Sequence, residues 1–280
     1  MAEDFNSVIN QVWRGSIDIH VHASPDPVAS RRFDVVELAE AARAAGMRGF
    51  IFKSHEYPTT PAAYILTKMV PGIEVFGAIS LDYEVGGLNP AALEASAKMG
   101  ARKVWMPTFS ADHWSQTRNN RPGIRVLDDN GRLIGVIDDL LSIVQQYDMI
   151  LGTGHLSTEE QLALVKEARG RGIKTVVTHA DFWIPAEAQR QMTEMGAFVE
   201  HAYIACTPGG GGIPASNIAA SIRTHGPGQA ILSTDLGQAF NPAPAEGLRM
   251  WIAAMLREGF TPREVEVMVK DNPAQLLALA

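Results

Sequence analysis

The feature that most constrains this chain is an alternation. Short apolar, β-branched runs at residues 16–22, 49–54, 73–81, 102–106, 149–153, 175–178, 197–201 and 230–234 are separated by longer amphipathic stretches. Runs of this length and composition predict strands, and the stretches between them predict helices. Helices are expected over 34–45, 61–70, 90–100, 137–147, 157–171, 185–196 and 215–225, and from about 244, with a helical tail from 261. The boundary chemistry agrees. Asp34 is a fitting N-cap and Gly46 a C-cap signal, Asn89-Pro90 places a cap before proline at N1, and Ser157-x-x-Glu160 is a capping box. Eight strand–helix repeats are what a closed parallel barrel requires, so the expected fold is α/β, a (β/α)8 TIM barrel. The alternative, a doubly wound open sheet, usually carries a Gly-x-Gly-x-x-Gly fingerprint after its first strand, which is missing here.

The repeat is interrupted once. Between residues 107 and 135 the sequence GIRVLDDNGRLIG places two short runs around Asp-Asn-Gly, a hairpin signal. This segment is expected as a hairpin-containing insertion after strand four of an otherwise single 280-residue domain. Barrels of about 250 residues commonly fold as one unit, and 46% apolar with 20% charged residues suits a large soluble core. The net charge of −7 disfavours nucleic acid and anionic membrane as partners and leaves a small-molecule substrate, with a homo-oligomer as an option. A single cysteine, Cys206, excludes an intramolecular disulfide and fits a reducing compartment. The N-terminal run MAEDFNSVINQVWRGS lacks a basic segment followed by an apolar one, and no apolar run is long enough to span a membrane, so a cytoplasmic location is expected.

In a barrel the chemistry sits where strands end. His20 and His22 close the first predicted strand, His55 follows the second, His155 the fifth, His179 the sixth, His201 closes the seventh, and Asp235 follows the eighth. Scattered at random, most histidines would fall on helices or in mid-loop, and only His113 and His225 do. Strand side chains alternate, so His20 and His22 share a face. Imidazole nitrogens with a carboxylate make a donor set for Zn²⁺, and also for Mn or Fe. The expected metal ligands are His20, His22, His155, His179 and Asp235. Zinc is the first expectation, with one or two ions.

The run Ile17-Asp18-Ile19-His20-Val21-His22, with Gly154-His155, Thr178-His179-Ala180 and Ser233-Thr234-Asp235, resembles the amidohydrolase superfamily. The closing Lys270-Asp271-Asn272-Pro273-Ala274-x-Leu-Leu is similar to that superfamily's C-terminal helix. The resemblance spans nearly the whole chain. It implies that His20, His22 and Asp235 bind the first metal and that His155 binds one metal or bridges to a second. It implies further that His179 binds a second metal or contacts substrate, and that Asp235 takes the proton of the attacking water. One departure stands out. Many binuclear members carry a carboxylated lysine or a glutamate at the end of strand four, where this chain has Val104-Trp105-Met106-Pro107. Lys103 lies early in that strand. Lys53, with the parity of His55, is the alternative cation or bridging group.

The implied activity is metal-dependent hydrolysis of an amide, cyclic amide, imide or lactone, with a metal-dependent decarboxylase or a phosphoesterase as alternatives on the same scaffold. Lys53, His55, His201 and Trp183 are candidate substrate contacts. Glu200 and His201 are adjacent on one strand, so only one of them can face the site.

Overall fold

The computed structural model describes residues 4–280; Met1, Ala2 and Glu3 of the N-terminal run examined for a leader lie outside the described residues. In chain order the elements are α1 (Phe5–Trp13), β1 (Ile17–Val21), α2 (Val35–Ala44), β2 (Gly49–Phe52), α3 (Thr60–Met69), β3 (Glu74–Phe76), β4 (Ala78–Ser80), α4 (Pro90–Lys98), β5 (Lys103–Trp105), α5 (Asp112–Asn119), α6 (Val136–Gln146) and β6 (Ile150–Gly152). They continue with α7 (Thr158–Gly170), β7 (Thr175–Val177), α8 (Ala180–Trp183), α9 (Ala186–Glu194), β8 (Phe198–Ala202), α10 (Ala215–His225), β9 (Ala230–Ser233), α11 (Pro244–Arg257), α12 (Pro262–Glu266) and α13 (Asn272–Leu276).

The helices start where the side chains can cap them. Asp34 accepts from the Val36 and Glu37 amides while Glu37 reaches back to the Asp34 amide. Ser157 with Glu160, and Thr261 with Glu264, form the same reciprocal pair. Each cap satisfies amides that have no partner inside the helix and stabilises it by about 1 kcal/mol. Residues 267–271, between α12 and α13, wind as a single π-helical turn.

The chain gathers into two compact units. The first takes the chain up to Phe52, then Ala62–Phe76 and Glu200–Ala280. Its sheet runs β1-β2-β3, all parallel. Beside β1 lies the segment leaving β9: the Asp235 amide donates to the His20 carbonyl and the His22 amide to the Leu236 carbonyl, both at 2.8 Å. Ile17, Ile19, Phe50, Leu38, Trp251 and Ile252 are fully buried here. The second unit comprises Lys53–Pro61 and Gly77–Val199. In it β4, β5, β6 and β7 pair in parallel in that order, and Phe198 and Val199 of β8 pair with β7. Leu93, Val104, Met106, Leu140, Leu151 and Leu164 pack in one cluster, and Val177, Met192 and Val199 in another. Each such buried side chain contributes about 1.5–3 kcal/mol.

Every predicted strand is present, and one is divided. The run expected as a single strand over 73–81 forms β3 and β4, in different units, broken at Gly77. A Cβ at Gly77 would lie 2.3 Å from the Thr60 Cα, so only glycine admits that approach. Thr59 exploits it: its amide donates to the Ala78 carbonyl and its Oγ1 accepts from the Ala78 amide, both at 2.9 Å.

The insertion contains the expected turn, with Leu127 and Leu133 bridged antiparallel and the Asp128 amide on the Arg132 carbonyl. It also contains α5, whose polar sequence hides it from a hydrophobicity pattern, as well as an exposed arginine row. Helices α1 and α8 are likewise additions to the sequence-based expectation. Among the described residues no helix is long and apolar enough to cross a membrane.

Candidate metal centre

In the first unit the site starts from the parity of β1. Ile17, Ile19 and Val21 go one way into the core, and Asp18, His20 and His22 go the other. Asp18 acts as a latch. Its carboxylate accepts from the His20 and Thr234 amides at 3.1 Å and from the Thr234 hydroxyl at 2.6 Å. Burial pushes its pKa up to about 7, against the pull of the Thr234 hydroxyl and the two amides. The latch ties β1 to the residue before Asp235.

Asp235 itself has φ +51°, in the left-handed region that aspartate tolerates better than most residues. This turn points its carboxylate back toward β1. Oδ1 lies 3.1 Å from the His20 Nε2 and 2.9 Å from the His22 Nε2. One residue beyond Leu236, Gly237 has φ +143°, and a Cβ there would stand 2.1 Å from the His22 carbonyl oxygen. Glycine at 237 is what lets the strand-end loop lie against the His22 backbone.

The tautomer of His20 follows from its neighbour. Its Nδ1 is 2.9 Å from Glu200 Oε1, and that same oxygen accepts from the Ser233 hydroxyl at 2.8 Å. A carboxylate only accepts, so His20 carries its proton on Nδ1 and offers a lone pair at Nε2. His20 and Glu200 are both fully buried. His22 has a looser neighbour: an Arg31 guanidinium nitrogen lies 3.4 Å from its Nδ1. Arg31 is itself fixed to Asp26, at 2.6 and 2.7 Å. Burial acts to raise the Asp26 pKa, but the Ala29 and Val28 amides and Arg31 outweigh it and hold the carboxyl below its usual range.

Lone pairs on His20 and a carboxylate oxygen about 3 Å away repel unless a cation lies between them. The three donor atoms of His20, His22 and Asp235 all fall within 4.8 Å of one another. Two imidazole nitrogens and a carboxylate oxygen, one imidazole backed by a second carboxylate, are the donor set and the outer-shell support of a divalent metal site. The residues present fit the ion. Asp235 keeps 13% of its side chain exposed where His20 keeps none, so solvent reaches the centre on the aspartate side.

The second unit holds His155, His179, Lys53, His55 and Trp183 of the sequence-identified residues. Gly154 has φ +66°, and a Cβ there would lie 2.3 Å from the Met106 carbonyl oxygen, so the turn presenting His155 needs glycine. His179 has φ +55°, a conformation that costs a histidine about 1–3 kcal/mol. The His155 and His179 rings stand 5.1 Å apart between centroids. Trp114 and Trp183 pack on His155 at 4.6 and 5.7 Å, and Phe182 meets His179 edge-on. The Trp183 indole donates to the Leu156 carbonyl at 3.0 Å.

His55 stacks on Phe109 at 3.9 Å, its Nδ1 lies 2.6 Å from the Thr108 hydroxyl, and that hydroxyl also meets Asp82. Lys53 and Lys103 are buried, their ammonium groups 4.9 and 4.1 Å from the Trp105 ring centre. Burial raises the Asp82 pKa, opposed by hydrogen bonds from Thr108 and Ser110 and by the charge of Lys53.

Set beside the sequence expectations, His20, His22 and Asp235 come together, and so do His155 and His179. His201 does not join the first group. It follows Glu200, takes the opposite face of β8, and stacks on His225 at 5.5 Å while its carbonyl accepts from Trp251. Glu200 is the one of that pair that meets His20, a choice that strand parity alone left open. Arg118, Arg121 and Arg125 are solvent-exposed, Arg118 over Trp114 and Arg125 paired with Asp129. Sequence reasoning missed Asp18, Asp82, Thr108 and Ser233. Asp18 carried a signal, since it shares the parity of His20 and His22.

Among solved structures the chain is similar to an amidohydrolase from Pseudomonas aeruginosa, with 13% identity over 98% of each chain and a TM-score of 0.66. It is similar to the probable dipeptidase PvdM of the same organism, with 10% identity over 99% of this chain and 98% of that one and a TM-score of 0.68. It is also similar to the TatD homologue YJJV of Escherichia coli K12, with 16% identity over 96% and 100% and a TM-score of 0.62. At these identities the likeness shows the fold, the TIM barrel that the strand–helix alternation predicts. No curated protein matches the sequence. The family model that matches, over residues 15–200, is that of a family of unknown function (DUF6282), and the chain belongs to that family.

Proposed function

We propose that this protein is a metal-dependent hydrolase that activates water to cleave an amide, cyclic amide, imide or lactone bond of a small molecule. The observation that carries the reading is Asp235 Oδ1 facing the Nε2 atoms of both His20 and His22 at about 3 Å, with His20 fixed as a lone-pair donor by Glu200. A carboxylate oxygen and two imidazoles so arranged call for a cation. The similar solved structures that carry hydrolase names support the same reading.

His20, His22 and Asp235 would hold the ion, zinc first, with manganese or iron as alternatives. A divalent cation supplies Lewis acidity that makes water acidic enough to ionise near neutral pH and polarises a carbonyl. The protein does the rest. Asp235, partly open to solvent, accepts the proton of the attacking water and returns it to the leaving group. Glu200 and Ser233 keep His20 in one tautomer and one orientation, so the donor set needs no reorganisation. In the second unit, His155 and His179 are proposed as a further ligand pair, and Lys53, His55 and Trp183 as substrate contacts.

Elemental analysis of the purified protein beside a His20→Ala/His22→Ala variant tests the reading. One or two equivalents of zinc, manganese or iron, lost in the variant, is the expected result. A wild-type protein that holds no metal and takes none up on reconstitution would overturn it.

A further inference from the structure

In the second unit, helix α5 touches the histidine pair with one side chain and lines a cavity with others. His155 and His179 keep only 2% and 5% of their surface exposed. The rings packed on His155 come from two loops. Trp114 of α5 is nearest, at 4.6 Å between centroids, with Phe109 and Trp183 both at 5.7 Å. Trp114 also meets Phe109 at 5.5 Å and Trp183 at 6.3 Å, so the three rings make one cover. The cavity, of about 440 Å³, is lined on α5 by His113, Gln116 and Thr117, which share a face at i, i+3 and i+4. Gly131 of the hairpin and Glu159 of α7 line it too. His113 reaches both places, since its ring also stands 5.4 Å from that of Trp183.

Helix α5 is anchored at its first residue. The Asp112 amide donates to the Ile124 carbonyl at 2.9 Å, and the Asp112 carboxylate accepts from the Gly123 amide at 2.8 Å. Beyond that point Ser115 is the one buried residue of the helix, and residues 116–122 are exposed. So little apolar burial opposes local opening weakly, and such segments open well below the free energy of global unfolding. Protein interiors are otherwise close-packed, and the cavity gives this helix room to move. We propose that α5 is a gate: it pivots about Asp112 into the cavity, carries Trp114 off His155, and admits solutes to the His155–His179 pair. Elements hinged at one end commonly gate sites in this way. The gate rests on the hydrolase reading only in making that pair the group to be reached.

The test is labelling of the full-length protein with diethyl pyrocarbonate in the presence of a chelator, read at each histidine by peptide mass spectrometry. The chelator makes the rate at His155 a measure of the cover, whatever ion the protein holds. Wild type is expected to label His155 more slowly than the half-buried His113. Trp114→Ala should raise the His155 rate about tenfold, the size of the ring contacts given up. Trp114→Leu, which keeps apolar bulk without the stacked ring, should raise it less. Thr117→Phe, at an exposed position of α5, puts a ring into the cavity and should lower the rate about fivefold, the size of a modest overpacking cost. His201, fully buried in the first unit, is the control and should stay unlabelled throughout.

A His155 rate that is the same in wild type and both Trp114 variants would remove the cover. A rate that Thr117→Phe leaves unchanged would remove the swing into the cavity. Either overturns the proposal, and so does labelling of His201 in step with His155 in wild type, which would mean general unfolding in place of a gate. None of these readings uses turnover or a bound metal. A protein that labels as expected but takes up no metal would sink the hydrolase reading and leave the gate standing. A metal-binding protein whose His155 labels without regard to Trp114 would do the reverse.

Discussion

Two histidines in this molecule are buttressed by buried carboxylates, and they are buttressed differently. In the first unit Glu200 touches His20 directly, at 2.9 Å, and shares the contact with Ser233. In the second unit Asp82 reaches His55 only through the Thr108 hydroxyl. A direct carboxylate raises the basicity of the imidazole strongly and suits a nitrogen that must grip a cation. A hydroxyl between the two orients the ring while passing on less charge. A histidine and a buried carboxylate are thus joined directly in one unit and through a hydroxyl in the other.

The sharpest separation of binding from chemistry comes from Asp235→Asn. It keeps an oxygen donor but loses the proton acceptor, so kcat is expected to fall by about 10²–10⁴-fold. Metal content measured alongside should remain above that of the double-histidine variant. An Asn variant with unimpaired kcat would remove Asp235 from the chemistry.

The comparison itself is tested by Glu200→Ala against Thr108→Val. Loss of the direct carboxylate should weaken metal binding by about 10–100-fold, read by competition with a chromogenic chelator. Loss of the hydroxyl link should leave metal affinity where it was. Equal losses in the two variants would erase the distinction drawn above. Ser233→Ala removes one of the contacts on Glu200 and should cost about fivefold in metal affinity, the size of a single hydrogen bond. A change as large as that of Glu200→Ala would mean that Ser233, and not Glu200, sets the orientation of His20.

The smallest effect is on stability against pH. Burial raises the Asp82 pKa above its ordinary 3.8. A raised carboxyl favours the folded state fully below the unfolded pKa, and that contribution is lost as pH rises through the folded one. The Tm of wild type should therefore decline over that interval relative to Asp82→Asn, which has no proton to lose. Parallel profiles would show that Asp82 is not held above its ordinary value.

The sequence by itself determined the strand–helix alternation, because apolar period and capping chemistry are local. It placed His20 and His22 on one face, because strand parity needs only neighbouring residues. It set His155, His179 and Asp235 at strand ends, because the order of elements is written along the chain. Only the tertiary structure decided the partners. Glu200 is 180 positions from His20 and Asp18 is 216 from Thr234, and no local pattern links residues so far apart. The division of the third predicted strand at Gly77 was also out of reach, since it depends on the approach of Thr60 from another element. So was the choice between Glu200 and His201. Parity says that they part, and only the packing of β8 says which side holds His20 and which holds His225.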